Sequence, residues 1–206
     1  MTDAALTTTR RFLHGAAELL LAGPQWRTSK RITLTVVDGG FATITLPEVR
    51  VESDELLTSS ARVPLNGRTY ADVGAQAGLE AAAPTDIYHD GSGVGPDEVI
   101  TMDTAALGRL LSAFAEADRA LRDFAPDLTP VLWPEHFDVA ISLDQVNYGV
   151  SPGDGYLAEP YAYVGPFEPR QGEFFNAPFG AARPVSDLGG AEAIAEFFRT
   201  GRSLLS

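Results

Sequence analysis

The chemistry open to this chain is narrow, because it has three histidines, no cysteine and a single lysine, Lys30. His136 and Asp138 stand two apart in the run Pro130–Leu143, so on an extended strand both side chains point to the same face. Glu135 precedes them, and Asp154 and Glu159 flank the next return of the chain. An imidazole among carboxylates suits general acid–base catalysis, with His136 as acid or base and Asp138 or Glu159 orienting it. The same pair could also hold a divalent metal. The plainer reading is the wet face of a half-buried antiparallel strand. Downstream, Asn147, Tyr148, Ser151, Asp154, Tyr161 and Tyr163 combine aromatic faces with hydrogen-bonding tips. Substrate clefts use that mixture, although aromatic strand residues also fill cores.

A second candidate is His89, which with Asp90 opens the stretch Gly91-Ser92-Gly93-Val94-Gly95-Pro96-Asp97-Glu98. It reads either as a mobile catalytic loop, with Asp90 orienting His89, or as a turn-rich connector. It is not a phosphate cradle: Gly-Lys-Ser/Thr is absent, Pro96 breaks the dinucleotide spacing, and Asp97-Glu98 repels phosphate. It also lacks the alternating oxygen ligands of a calcium loop. His-Glu-x-x-His does not occur. His14 falls in a stripe with Arg10 and Glu18 at helical spacing and reads as a surface histidine.

Composition sharpens these limits. Without cysteine there is no disulfide, thiolate nucleophile, iron–sulfur cluster or zinc ribbon. Lys30 lies in a polar run with no glycine-rich loop before it, which argues against Schiff-base and P-loop chemistry. No organic cofactor is implied. With 28 acidic against 15 basic residues, the chain is a poor partner for nucleic acid or an anionic membrane. Glu135, Asp138, Asp144, Asp154 and Glu159 gather near the aromatic strands, so a small neutral or cationic ligand suits that region better than an anion. No apolar run reaches membrane-spanning length, and the expectation is a cytoplasmic protein.

The elements that must position these residues are readable from periodicity. An amphipathic helix over 5–21 stops at Gly23-Pro24. A hairpin follows, 31–37 and 41–46 about Asp38-Gly39-Gly40, with a threonine-rich open face that Phe41 shares. Strand-like pieces lie near 48–51 and 61–65, and a short helix at 70–77. A long helix, capped by Asp103 or Thr104, carries Leu107, Leu110, Leu111, Phe114, Leu121 and Phe124 on its buried side. Strands at about 130–143, 145–150 and 160–164 precede a closing helix at 191–200, ending at Gly201. The fold class is α+β: antiparallel hairpins packed by an N-terminal, a long central and a short C-terminal helix. It reads as one domain over 1–206, or as two lobes of that domain at about 1–100 and 101–206.

Pro130-Val131-Leu132-Trp133-Pro134-Glu135-His136-Phe137-Asp138, followed by Glu159-Pro160-Tyr161-Ala162-Tyr163-Val164, resembles a mainly actinobacterial family of unknown function. Its members carry a Trp-…-Phe-Asp strand followed by a Phe-Tyr-x-Tyr strand. The resemblance implies the same layout and carries no activity over to this chain. Two functions follow from the residues themselves. One is a small-molecule-binding domain using His/carboxylate acid–base chemistry, either cofactor-independent or metal-assisted. The other is a non-catalytic module that presents the aromatic Pro160–Phe179 stretch to a protein partner.

Overall fold

The computed structural model describes residues 3–84, 86–88 and 91–205. The first helix does not stop at Gly23-Pro24. It runs as α1 (Asp3–Gly15), a π-wound segment (Ala16–Ala22) and α2 (Gly23–Ser29). The π register explains why the proline is tolerated. Gly23 N–H reaches back five residues to Glu18 O, Pro24 has no N–H to place, and the carbonyl of Leu19 accepts Ala82 N–H instead at 3.1 Å. Every residue of the π segment is buried.

The chain then forms β1 (Leu34–Val37), β2 (Gly40–Thr43), β3 (Val49–Glu52), β4 (Glu55–Thr58) and β5 (Arg62–Pro64). The register Leu34↔Thr43 and Val36↔Phe41 places Phe41 on the helix-facing side, where it is fully buried. This reverses the expected facing of the second hairpin strand, since Ile44 and Leu46 are exposed and Phe41 is core. The strand also ends early. Gln25, fully buried at the end of the first helix, accepts Ile44 N–H (2.7 Å) and Thr45 N–H (2.9 Å) on Oε1. Its Nε2 donates to Arg31 O (3.1 Å) and Thr33 O (2.9 Å). One side chain thus fixes the entry to β1 and the exit from β2.

Helix α3 (Tyr70–Ala77) is capped by Thr69, which accepts Asp72 N–H. Helix α4 (Thr104–Phe124) is capped by Asp103, which accepts Ala106 N–H at 2.9 Å. It then buries Leu107, Leu110, Phe114 and Leu121, each worth roughly 1.5–3 kcal/mol of apolar transfer. The strands that follow are β6 (Val131–Trp133), β7 (Asp138–Leu143), β8 (Val146–Ser151), β9 (Tyr161–Pro166) and β10 (Ala181–Pro184), and α4 packs on β1, β2, β7 and β8. The expected single strand over 130–143 is a hairpin: residues 134–137 turn, and Trp133 pairs with Asp138. Short α5 (Val185–Leu188) leads to α6 (Ala191–Leu205). Gly201 lies inside α6 rather than ending it. A Cβ there would meet Val164 Cγ2 at 2.8 Å, so the glycine serves close helix–sheet contact.

All ten strands among the described residues form one antiparallel sheet, ordered β10-β9-β8-β7-β6-β1-β2-β3-β4-β5. The two halves of the chain meet where Leu34 of β1 pairs with Leu132 of β6. Helices cover one face, and the α+β architecture is as the sequence implies. Among the described residues no helix is long and apolar enough to cross a membrane.

Candidate functional site

The uncovered face of β7–β9 carries a cleft of about 560 Å³. Strand alternation builds it: Asp138 on β7, Asn147 and Ser151 on β8, and Tyr161 and Tyr163 on β9 all point away from the helices. His136 reaches the same cleft from the turn rather than from a strand. Phe137, between them, takes a left-handed backbone (φ 56°), rare for a non-glycine residue. That conformation sends its ring into the core, edge-on to Phe41 and Phe114, and leaves His136 exposed.

Asp138 is the buried centre of the cleft, with a relative exposure of 7%. Its Oδ2 accepts the Tyr163 hydroxyl, and its Oδ1 is buried with no hydrogen-bond partner among the described residues. Burial pushes the Asp138 carboxyl above the usual carboxylate range, against the opposing pull of Tyr163 and His136. Burial likewise holds the Tyr163 phenol well above its ordinary value, reinforced by Asp138. Asp154 shapes the rim. Its Oδ1 accepts Tyr156 N–H (2.8 Å) and Leu157 N–H (3.1 Å), and its Oδ2 accepts the Tyr161 hydroxyl (2.6 Å). Ser151 Oγ accepts Gly153 N–H, and Asn147 Oδ1 accepts the Ser142 hydroxyl.

Gly149 makes the floor possible. A Cβ at this position would lie 2.6 Å from Tyr163 Oη and 2.8 Å from Val139 O. Gly149→Ala is therefore expected to push Tyr163 off Asp138 and cost about 1–3 kcal/mol by overpacking. Thermal unfolding together with the Tyr163 hydroxyl resonance checks this. An unchanged melting temperature with an unchanged hydroxyl signal would contradict it.

Tyr148 and Glu159 do not join the cleft. Tyr148, next to Asn147 on β8, points to the opposite face and packs between Phe124 (4.6 Å) and Phe198 (5.9 Å). Glu159 instead pairs with Arg109 of α4 and accepts the Ser186 hydroxyl. His89 lies outside the described residues. The loop after it is pinned: Ser92 N–H donates to Glu18 (2.7 Å), and Arg11 pairs with Glu98 (2.8 Å) and donates to Gly93 O (3.0 Å).

His14 is not a surface histidine. Its ring stacks on Phe137 (4.9 Å, 2° between planes), and its Nε2 donates to Pro134 O at 2.6 Å. Burial lowers the pKa of the imidazolium, against the attraction of Glu18, whose Oε2 is 3.9 Å away. Glu18 is itself buried. The stripe Arg10–His14–Glu18 therefore faces protein: Arg10 Nη1 donates to Ala158 O at 2.8 Å, behind the Asp154 loop. His14 thus holds the 134–137 turn, and with it His136, against the first helix.

Further cleft walls come from Phe167 and Phe179 of the Pro160–Phe179 stretch, with Pro166. Among the described residues no three His, Asp or Glu side chains gather as a metal site, so a metal at His136 and Asp138 would lack a third side-chain ligand of this kind. Comparison with protein-family models, with curated proteins and with solved structures finds no match to this chain.

Proposed function

We propose that the chain binds a small molecule in the β7–β9 cleft and handles a proton there through Asp138, Tyr163 and His136. The observation that carries this reading is the bare Oδ1 of Asp138. A buried carboxyl oxygen without a partner costs stability, so its presence asks for a role. Such a group on the floor of a cleft is a candidate catalytic acid, because burial keeps it protonated to higher pH than a free aspartate. Tyr163, hydrogen-bonded to it, orients the carboxyl. His136, exposed at the mouth, is placed to exchange the proton with solvent. This chemistry needs no organic cofactor and suits a hydrolytic or isomerising reaction.

The alternative, a protein-interaction module, rests on the exposure of Phe167 (61%) within the aromatic stretch. Phe174 and Phe175, by contrast, pack against the core, and Phe179 stacks with Tyr161 (6.2 Å) as a cleft wall.

A thermal-shift screen of a metabolite library against the wild-type chain, Tyr161→Phe and Asp154→Asn separates the two. Ligands of the cleft should stabilise the wild type, by about 2.7 kcal/mol at a hundredfold excess over Kd, and the rim variants by less. Compounds that shift all three proteins equally, or no compound that shifts any, would count against the reading.

A further inference from the structure

Resting on the cleft reading above, we infer that the ligand is an organic amine in its ammonium form, its charged nitrogen seated over Tyr161, Tyr163 and Phe179 and facing Asp138. The first argument is sign. The ionisable side chains lining the cleft are Asp138, Asp154 and His136; no arginine or lysine lines it. The guanidinium of Arg10 approaches from behind, through Gly153 and the Ala158 carbonyl, and its charge is felt by Asp154 and Tyr161, which leaves Asp138 as the carboxyl without a cation beside it. Asp138 has no ion-pair partner among the described residues, and its Oδ1 is the one carboxyl oxygen in the cleft that is both buried and unpartnered.

The second argument is donor supply. Both phenol hydroxyls are already spent: Tyr163 donates to Asp138 and Tyr161 to Asp154. What these two tyrosines leave for a ligand is oxygen lone pairs and ring faces. An anion is left with His136, the Asn147 amide and the Ser151 hydroxyl as donors, whereas an N–H donor finds at Asp138 a carboxyl oxygen that has no partner. Donation to a carboxylate also makes each phenol ring richer in electrons, which favours a cation over its face.

The third argument is geometry. The ring centroids of Tyr161, Tyr163 and Phe179 are mutually 6.2, 6.4 and 6.5 Å apart. Tyr163 stands nearly perpendicular to Phe179 (88°) and tilted to Tyr161 (59°), so a cation against this cluster meets one ring by its edge and another by its face, and the face contact supplies the cation–π attraction. The cleft, about 560 Å³, has room for the organic remainder of the amine.

The test uses four probes of one scaffold: benzylamine, benzyltrimethylammonium, benzyl alcohol and benzoate. Titration is followed by chemical-shift changes of the full chain, with Tyr161, Tyr163 and Phe179 as reporters. The two cations should bind about tenfold or more tighter than the alcohol, and benzoate weakest. Asp138→Asn should abolish that preference, and Asp154→Asn should weaken it. Asp144→Asn, outside the cleft in an ion pair with Arg202, should leave it intact. If the alcohol or benzoate occupies the cleft as well as the amines do, the ammonium inference fails and the small-molecule reading stands. If no probe perturbs the three reporters, both fail.

Discussion

Gln25→Ala is expected to unfold the protein at markedly lower denaturant, with a loss of about 2–5 kcal/mol. The reason is the number of backbone groups that depend on one side chain. Arg31 O, Thr33 O, Ile44 N–H and Thr45 N–H all take their partner from the Gln25 amide, in a part of the chain where Gln25 has no solvent exposure. Each buried group left unsatisfied costs roughly 1–3 kcal/mol, with some recovered where the bend after β2 can relax toward water. Gln25→Glu should not rescue it, because the carboxylate cannot donate to the two carbonyls and would bury a charge. Denaturation by urea is the measurement. A midpoint within the wild-type error, at unchanged slope, would show that Gln25 does not hold β1 and β2 together.

Asp138→Asn is expected to act in the opposite direction on stability and to remove function. The sign follows from burial. Burial raises the folded-state pKa of Asp138 above the ordinary aspartate value of 3.8, so the folded chain holds this proton more tightly than the unfolded chain does. Its favourable contribution is full below about pH 3.8 and is lost as pH rises through the folded value; above that, the native state carries a buried charge. Asparagine does not titrate. The variant should therefore be more stable than the wild type at pH 8, by about 1–3 kcal/mol, and the difference should close as pH falls toward 4. Paired denaturation curves across that range test it. A variant less stable at pH 8, or a difference independent of pH, would mean that the carboxylate is structurally required. A stabilising substitution that abolishes ligand binding is the pattern of a side chain kept for function.

Much of the cleft was legible because strand alternation is a simple rule. Asp138, Asn147, Ser151, Tyr161 and Tyr163 follow from extended runs whose alternate residues are apolar. The same rule separates Tyr148 from Asn147 and Ser151 by parity, so its exclusion was legible as well. His136 reaches the expected place by a route that spacing does not reveal. The step of two from His136 to Asp138 is a strand step on paper, yet Phe137 is in the left-handed region and His136 belongs to a turn.

The less legible parts depend on distant partners. Arg10, His14 and Glu18 form a polar stripe on a helical wheel, and such stripes usually face water. Here Phe137, Pro134 and Ser92, all more than seventy positions away from the residue they meet, cover the last two. Gly23-Pro24 looks like a terminator, but the π turn before it absorbs the missing N–H. The facing of β2 turned on Gln25 and on the register with β1, neither of which leaves a mark in the alternation of 41–46.

The central claim is that the Asp138 cleft, rather than any other surface, is where this protein meets its ligand. Crystals of the chain soaked with a diverse fragment collection test that claim most directly, because a larger hollow of about 710 Å³ between α5, α6 and Phe174 offers competing space. Fragments concentrated in the β7–β9 cleft, with a polar atom directed at Asp138, are the predicted result. Fragments gathered in the α5–α6 hollow, with the cleft empty, would contradict the account.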